Sequence, residues 1–436
     1  MNALTFGFSL LFSLLSLVAG GLPWLKLKAP YGFILLPLKL SAAGLAPLGI
    51  AAGGLGLALG WLAHSWPAVV LGGLSAGLCA LFIYQVLALP DPFEPAFGKD
   101  WQSKIPPERA ARLLPRRWVG WLSTRTNPGW QRDIPFWTFP GSERQLLCDL
   151  WTPPAGIPLS GMAFIYSHGS DWYLLDKDFG TRLFFRHLAG QGHVVMDVAY
   201  RLSPETDMSG MVGDVKRAVA WMKDHGKEYG VDPQKIILGG GSAGGHLSLL
   251  AAYAPYQAEM TPPDVKDYDL SVRGVISEYG PTDLKACYFH TNQDKTTRSL
   301  SPAPATASKP APARQSSTRK SDMARLGFDK PSDSGAFVKL LGGHPEQAPE
   351  AYARYSPLTY IHPGCPPTLL IQGTDDLITP AFATRCFHKK LEETGVLALN
   401  VIYPHTDHAF DLFFPRLSPA AQSSYFMVDH FLALLG

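Results

Sequence analysis

The sequence predicts an α/β fold, a mostly parallel sheet flanked by helices, preceded by an all-α transmembrane region. Three observations carry this. From about Arg144 onward, short β-branched runs alternate with longer helical ones, the pattern of a parallel sheet covered on both faces. One strand-to-helix junction holds Gly240-Gly241-Ser242-Ala243-Gly244, a Gly-x-Ser-x-Gly match. The first ninety residues hold three apolar stretches near the length of a membrane span.

The apolar stretches come first. Ala3–Val18 is a nearly unbroken apolar run that extends towards Trp24. Met1–Leu25 carries no charge, so the positive n-region of a secretory signal is missing and a membrane span fits better. Tyr31–Trp61 is interrupted by Lys39 and two prolines. It reads as one tilted helix with Lys39 snorkelling, or as a broken or re-entrant pair. Pro67–Leu89 is the third span, so residues 1–90 are expected to form three transmembrane helices, or four if the second stretch is broken. Trp24, Tyr31, Trp61, Trp66 and Tyr84 lie near the span ends, as interfacial aromatics do. Gly49-x-x-x-Gly53, Gly56-x-x-x-Gly60 and Gly73-x-x-x-Gly77 would allow close helix packing, although glycine is common in membrane helices and specifies no dimer by itself. Burial of these runs inside a soluble domain is the rival reading, and their length and lack of charge count against it.

Composition agrees. Hydrophobic residues make up 46% of the 436 and charged residues only 17%, which is low for a wholly water-soluble chain. A net charge of +2 excludes the electrostatic footprint of a nucleic-acid binder. Five widely spaced cysteines, with no Cys-x-x-Cys, point to neither a disulfide framework nor a zinc site, and no metal or cofactor is expected.

Orientation follows from the short connections. Lys26 and Lys28 follow the first span, and Lys99, Lys104, Arg109, Arg112, Arg116 and Arg117 follow the last. With three spans both basic segments fall on one side, which the positive-inside rule makes cytoplasmic. A multi-pass membrane protein with a cytoplasmic catalytic domain is therefore expected. Residues 91–143 form a juxtamembrane linker. Within it Pro107–Leu122 mixes four arginines with Trp118 and Trp121, and reads equally as a helix on an anionic membrane surface or as a segment packed on the catalytic domain. Pro115 weakens the helix.

The catalytic domain is expected over 144–436. Strand candidates are Leu146–Trp151, Met162–Ser167, His193–Ala199, Lys235–Leu238, Val272–Tyr279, Thr368–Gln372 and Leu399–Tyr403. Helix candidates between and after them are Phe179–Ala189, Met211–Glu228, Ala243–Tyr253, Pro380–Thr394 and Pro419–Leu435. An insertion over 291–334 is rich in Pro, Ala, Ser and Thr, is basic between Lys295 and Lys320, and reads as a disordered surface loop.

In such sheets ligands bind beyond the C-terminal strand ends, where Ser242 sits. A serine hydroxyl is a weak nucleophile, and it must stand at a sharp turn within reach of a base. Gly240 and Gly244 clear the turn, and the helix starting at Ala243 aims free N–H groups at a developing oxyanion. A glycine-rich βα turn without catalysis would look the same, so the partners decide. An acid candidate lies after Thr368–Gln372, at Asp375 or Asp376, and a base candidate after the last strand, at His405 or His408. The chain order Ser, Asp, His, each after a strand, is that of serine hydrolases of the α/β class. The loop His168-Gly169-Ser170, after Met162–Ser167, could supply oxyanion donors, with His168 orienting the loop.

These residues resemble the α/β-hydrolase esterases of the hormone-sensitive-lipase and feruloyl-esterase-like (BD-FAE-like) group, over about Leu146 to Phe431. The resemblance rests on His168-Gly169 with Trp172, Tyr200-Arg201-Leu202-Ser203-Pro204-Glu205, Asp214 leading a helix with Trp221, and Gly241-Ser242-Ala243-Gly244-Gly245-His246. It continues through Tyr279-Gly280-Pro281-Thr282-Asp283, Gly373-Thr374-x-Asp376, and His408 before Ala409-Phe410. It implies an α/β-hydrolase fold and selects Asp376 over Asp375 and His408 over His405. It further implies an oxyanion hole from Gly169, Ser170 and Ala243, with His168, Gly241 and Gly244 in support. Ser170 departs from the family's usual His-Gly-Gly. The apolar N-terminal region departs from most such esterases, which are soluble, although isoprenylcysteine methylesterases look similar in plan.

The expected function is a membrane-anchored serine hydrolase that cleaves a small-molecule or lipid-linked carboxylic ester, in contact with membrane lipid. An amidase, peptidase or lipid deacylase on the same triad, and an inactive membrane scaffold with this fold, are the alternatives. The sequence leaves the oligomeric state open.

Overall fold

The computed structural model describes residues 3–28, 32–124, 127–169, 171–292 and 335–436. The chain divides into two units. One joins Met1–Arg125 to Ile371–Asp376 and Val401–Leu434; the other holds Thr126–Leu370, Leu377–Asn400 and Leu435–Gly436.

The first unit begins with helices α1 (Ala3–Gly21), α2 (Gly32–Gly44), α3 (Ala46–Leu62) and α4 (Trp66–Leu87). By length and apolar composition α1 and α4 can each cross a membrane, and α2 with α3 forms a pair bent by 76°. Large apolar side chains such as Leu4, Phe8, Leu15, Leu62 and Leu74 point outward from these helices. Their inner faces meet through small residues. A Cβ on Gly53 would come within 2.5 Å of the Ala76 nitrogen, and one on Gly56 within 2.6 Å of Ser13 Oγ. Ser16 and Ser75 hydroxyls lie 2.8 Å apart between α1 and α4. Close approach of backbones replaces the hydrophobic drive that apolar surroundings would not supply. The third glycine motif is different, since nothing lies within 4 Å of a Cβ on Gly77.

The second apolar stretch is thus a broken pair, and Lys39 does not snorkel. Its side chain is buried at 1% exposure and forms ion pairs within the unit. An ammonium with two carboxylates at hand has no need to reach water. In the linker one of the two expected readings fits. Only Pro107–Ala110 of Pro107–Leu122 is helical. Beyond it, the Leu114 N–H donates to Asp429 at 3.1 Å, Trp118 Nε1 to the Leu417 carbonyl at 3.0 Å and the Val119 N–H to Gln422 at 2.9 Å. Backbone groups freed at Pro115 find partners along the C-terminal segment, so the segment packs on protein and forms no surface helix.

The strands are β1 (Gly129–Thr138), β2 (Gln145–Thr152), β3 (Ala163–Ser167), β4 (Val194–Ala199), β5 (Ile236–Gly241), β6 (Gly274–Glu278), β7 (Thr368–Gly373) and β8 (Ala398–Tyr403). They form one sheet in the order β1-β2-β4-β3-β5-β6-β7-β8. β2 is antiparallel to β1 and β4, while β4, β3, β5 and β6 pair in parallel. β3, β5 and β7 are buried along their whole length, as strands covered on both faces must be. Met208–His225 and Ala243–Tyr253 supply buried apolar side chains to the core of the second unit.

Each expected strand and helix of the α/β region overlaps an observed one. β1 has no counterpart among them. Its Gln131-Arg132-Asp133 and Pro135 interrupt any apolar alternation, and its register shifts at both places. An edge strand tolerates proline and irregularity where a central one does not. The short helices Leu284–Thr291, Gly335–Leu341 and Pro349–Arg354 are likewise additions. Beyond Asn292 the expected insertion lies outside the described residues, as does Ser170.

Candidate active site

Ser242 stands between β5 and the helix Ala243–Tyr253, with φ 53° and ψ −124°. A non-glycine residue at positive φ is strained, and the surroundings hold it there. Its N–H donates to the Glu278 carbonyl at the end of β6 at 2.9 Å, and its own carbonyl accepts from the His246 N–H at 3.0 Å. The flanking glycines are required by contact. A Cβ on Gly244 would collide with the Ser167 carbonyl, and one on Gly241 would lie 2.7 Å from Tyr279 Oη.

Gly169 closes on this turn. A Cβ there would lie 2.9 Å from the Gly241 oxygen and 3.0 Å from Ser242 Cβ. The backbone of the loop after β3 therefore reaches the serine because residue 169 has no side chain. His168 is buried behind it. Its ring stacks on Tyr200 with centroids 4.5 Å apart, and the Tyr200 hydroxyl donates to the His168 carbonyl at 2.9 Å. Burial pushes the imidazole pKa down to about 4, against a smaller opposing effect of the Gly169 carbonyl. A neutral, stacked ring suits an orienting role and not that of a base. His246, on the helix that follows Ser242, donates from Nε2 to the Tyr355 carbonyl at 2.7 Å and is likewise pushed down to about 4 by burial.

The first unit holds the acid and the imidazole. His408 follows β8 and Asp376 follows β7. His408 Nδ1 lies 2.9 Å from Oδ2 and 3.1 Å from Oδ1 of Asp376. Both residues are buried. Gln372 Nε2 donates to Asp376 Oδ2 at 2.7 Å, which favours the charged carboxylate. A carboxylate facing Nδ1 requires the proton on that nitrogen, so Nε2 is left as the acceptor.

The neighbouring candidates are engaged elsewhere. Asp375 Oδ2 faces Lys39 Nζ at 3.3 Å. The His405 ring packs against Trp24 with centroids 4.3 Å apart, and burial is the largest of the effects that lower its pKa. Sequence reasoning passed over three residues at this pair: Gln372, Asp407 and Lys39. Asp407 was legible only as the neighbour of His408. Lys39 carried a signal, being the only charge between Lys28 and Asp91. Among the described residues no group of three His, Cys, Asp or Glu side chains is arranged to hold a metal ion.

Known proteins place this chain. The BD-FAE family model matches residues 148–391, more than half of the chain. A probable carboxylic ester hydrolase, LipM of Mycobacterium tuberculosis, is 30% identical over 290 residues, 65% of this chain and 57% of LipM. The esterase LipQ of the same organism is 25% identical and covers 82% of this chain and 80% of its own length. The chain thus spans little more than half of LipM and most of LipQ. A solved propionate-bound esterase of Thermogutta terrifontis is 22% identical with a TM-score of 0.51, covering 71% of this chain and 95% of its own, which speaks for the fold alone. With the family's region running from β2 into the helix Ala381–Glu393, the chain belongs to the BD-FAE family.

Proposed function

We propose that the chain is a membrane-anchored serine hydrolase that cleaves carboxylic esters through an acyl-enzyme. The observation that carries this is Ser242 held at φ 53° on the strand–helix turn, with Gly169 against it. The buried His408–Asp376 pair and the esterase relatives support it.

In this reading Ser242 Oγ attacks the ester carbonyl while His408 Nε2 takes its proton. Asp376 holds the tautomer and stabilises the imidazolium. N–H groups of Gly169 and Ala243, with Ser170 as a third candidate, receive the oxyanion. His408 then returns the proton to the leaving alcohol. Water attacks the acyl-enzyme, with His408 again the base, and the acid departs as Ser242 regains its hydrogen.

For the membrane region we read α1, α3 and α4 as three spans. α3 is 17 residues, within the range that crosses a bilayer, and α2 turns away from it. α2 instead lies against the loops after β7 and β8, through Lys39 and through Gly44, where a Cβ would lie 2.7 Å from the Phe413 carbonyl. In this reading α2, Lys26, Lys28 and the acid–base loops share one side, which the positive-inside rule makes cytoplasmic. A lipid-linked ester is then the substrate class nearest to hand.

The test is labelling of the full chain with a fluorophosphonate probe, with and without Ser242→Ala, beside hydrolysis of p-nitrophenyl butyrate and a matched anilide. Labelling lost in the variant, with ester cleaved faster than anilide, supports the reading. Absence of labelling in the unaltered chain favours an inactive scaffold, and faster anilide cleavage an amidase.

A further inference from the structure

We propose that Lys39, from the apolar N-terminal region, is a positioning residue of the acid–base pair: its ammonium clamps together the two loops that carry Asp376 and His408. The proposal rests on the triad reading above. Lys39 Nζ lies 3.3 Å from Asp375 Oδ2 and 3.1 Å from Asp407 Oδ2, and all three side chains are at most 3% exposed. Each aspartate immediately precedes a member of the pair. Asp407 does more than precede it, because its second oxygen accepts the His408 backbone N–H at 2.9 Å. Asp375 likewise uses its second oxygen, towards Thr374 Oγ1 at 3.0 Å.

The loops also meet through the His408–Asp376 pair itself and through backbone donors. The Asp375 N–H donates to the Thr406 carbonyl at 3.0 Å, and the His405 N–H to Thr374 Oγ1 at 3.0 Å. Stability is a poor account of the ammonium. A buried ion pair costs desolvation that a well-packed apolar group avoids. What the ammonium supplies is geometry, since it can satisfy both carboxylates only at one spacing of the loops. That spacing sets where Nε2 of His408 points, and errors near 1 Å in such placement cost about a hundredfold in rate.

The experiment uses the full chain in detergent micelles, with p-nitrophenyl butyrate as substrate and catalytic sites counted by fluorophosphonate titration. Lys39→Met is expected to lower kcat per titrated site at least fivefold with KM changed less than twofold. A smaller fall, or a loss carried by KM, overturns the proposal. Should Lys39→Met fail to fold, Lys39→Met combined with Asp375→Asn and Asp407→Asn, which removes all three charges together, is judged by the same two criteria. An unaltered chain that takes no label at Ser242 overturns the hydrolase reading itself and this proposal with it; a labelled chain whose Lys39 variants keep kcat overturns only the clamp.

Discussion

His408 Nδ1 faces both carboxylate oxygens of Asp376, at 2.9 and 3.1 Å, in a buried setting. The pair fixes a tautomer more than it fixes a charge. Asp376→Asn offers an amide N–H to Nδ1 in place of an acceptor, so the ring proton moves to Nε2 and the proposed mechanism loses its base. A fall in kcat on the order of 10³ to 10⁴ is expected, with little change in KM. Steady-state ester hydrolysis, with near-UV circular dichroism to confirm the fold, checks it.

Gly169→Ala tests the cradle. The new methyl would sit 2.9 Å from the Gly241 oxygen and 3.0 Å from Ser242 Cβ, and neither neighbour is the flexible end of a side chain. The loop must retreat, and in the proposed mechanism that takes the Gly169 N–H away from the oxyanion. Loss of one such donor lowers kcat by about 10² to 10³. The measurement is kcat alongside the rate of fluorophosphonate labelling, which should fall with it.

How much of this the sequence shows depends on the range of the interaction. The turn at Ser242 is local: β-branched Ile236 and Ile237, then glycines, then an apolar helical run, and each feature constrains its neighbours. Strand order after it is legible for the same reason. β1 is illegible because its pairing with β2, not its own residues, makes it a strand, and the interruptions at Asp133 and Pro135 erase the period. Lys39 shows the opposite limit. A lone lysine in an apolar run suggests snorkelling, and only coordinates reveal that residues more than 330 positions later supply its counter-charges. Asp375 against Asp376 is a choice of one residue, and pattern without a family resemblance leaves it open.

Glycine content in the N-terminal helices makes two opposite predictions. A methyl at Gly53 would meet the Ala76 nitrogen at 2.5 Å and the Gly72 carbonyl at 2.7 Å, both backbone. Gly53→Ala must therefore separate α3 from α4, an overpacking that costs about 1 to 3 kcal/mol. Gly77→Ala meets nothing within 4 Å and exchanges a poor helix former for a good one. Thermal unfolding of the purified chain followed by tryptophan fluorescence should show a lowered midpoint for the first and an unchanged or raised one for the second.

Acid should loosen the second unit before it protonates most carboxylates. His168 and His246 are held neutral by burial, each with its pKa pushed down to about 4 from an ordinary 6.5. Unfolding exposes both, and the unfolded chain then binds protons that the folded chain does not. Their contribution is whole above pH 6.5 and is lost as the pH falls towards 4, by about 3 kcal/mol for each ring. Below pH 4 both states are protonated and these groups add no further slope. Urea midpoints measured between pH 7.5 and 4.5 should fall steeply through this window. His246→Gln keeps an N–H for the Tyr355 carbonyl but cannot titrate, so it should remove about half of the slope. An unchanged slope in that variant would assign the acid sensitivity to other groups.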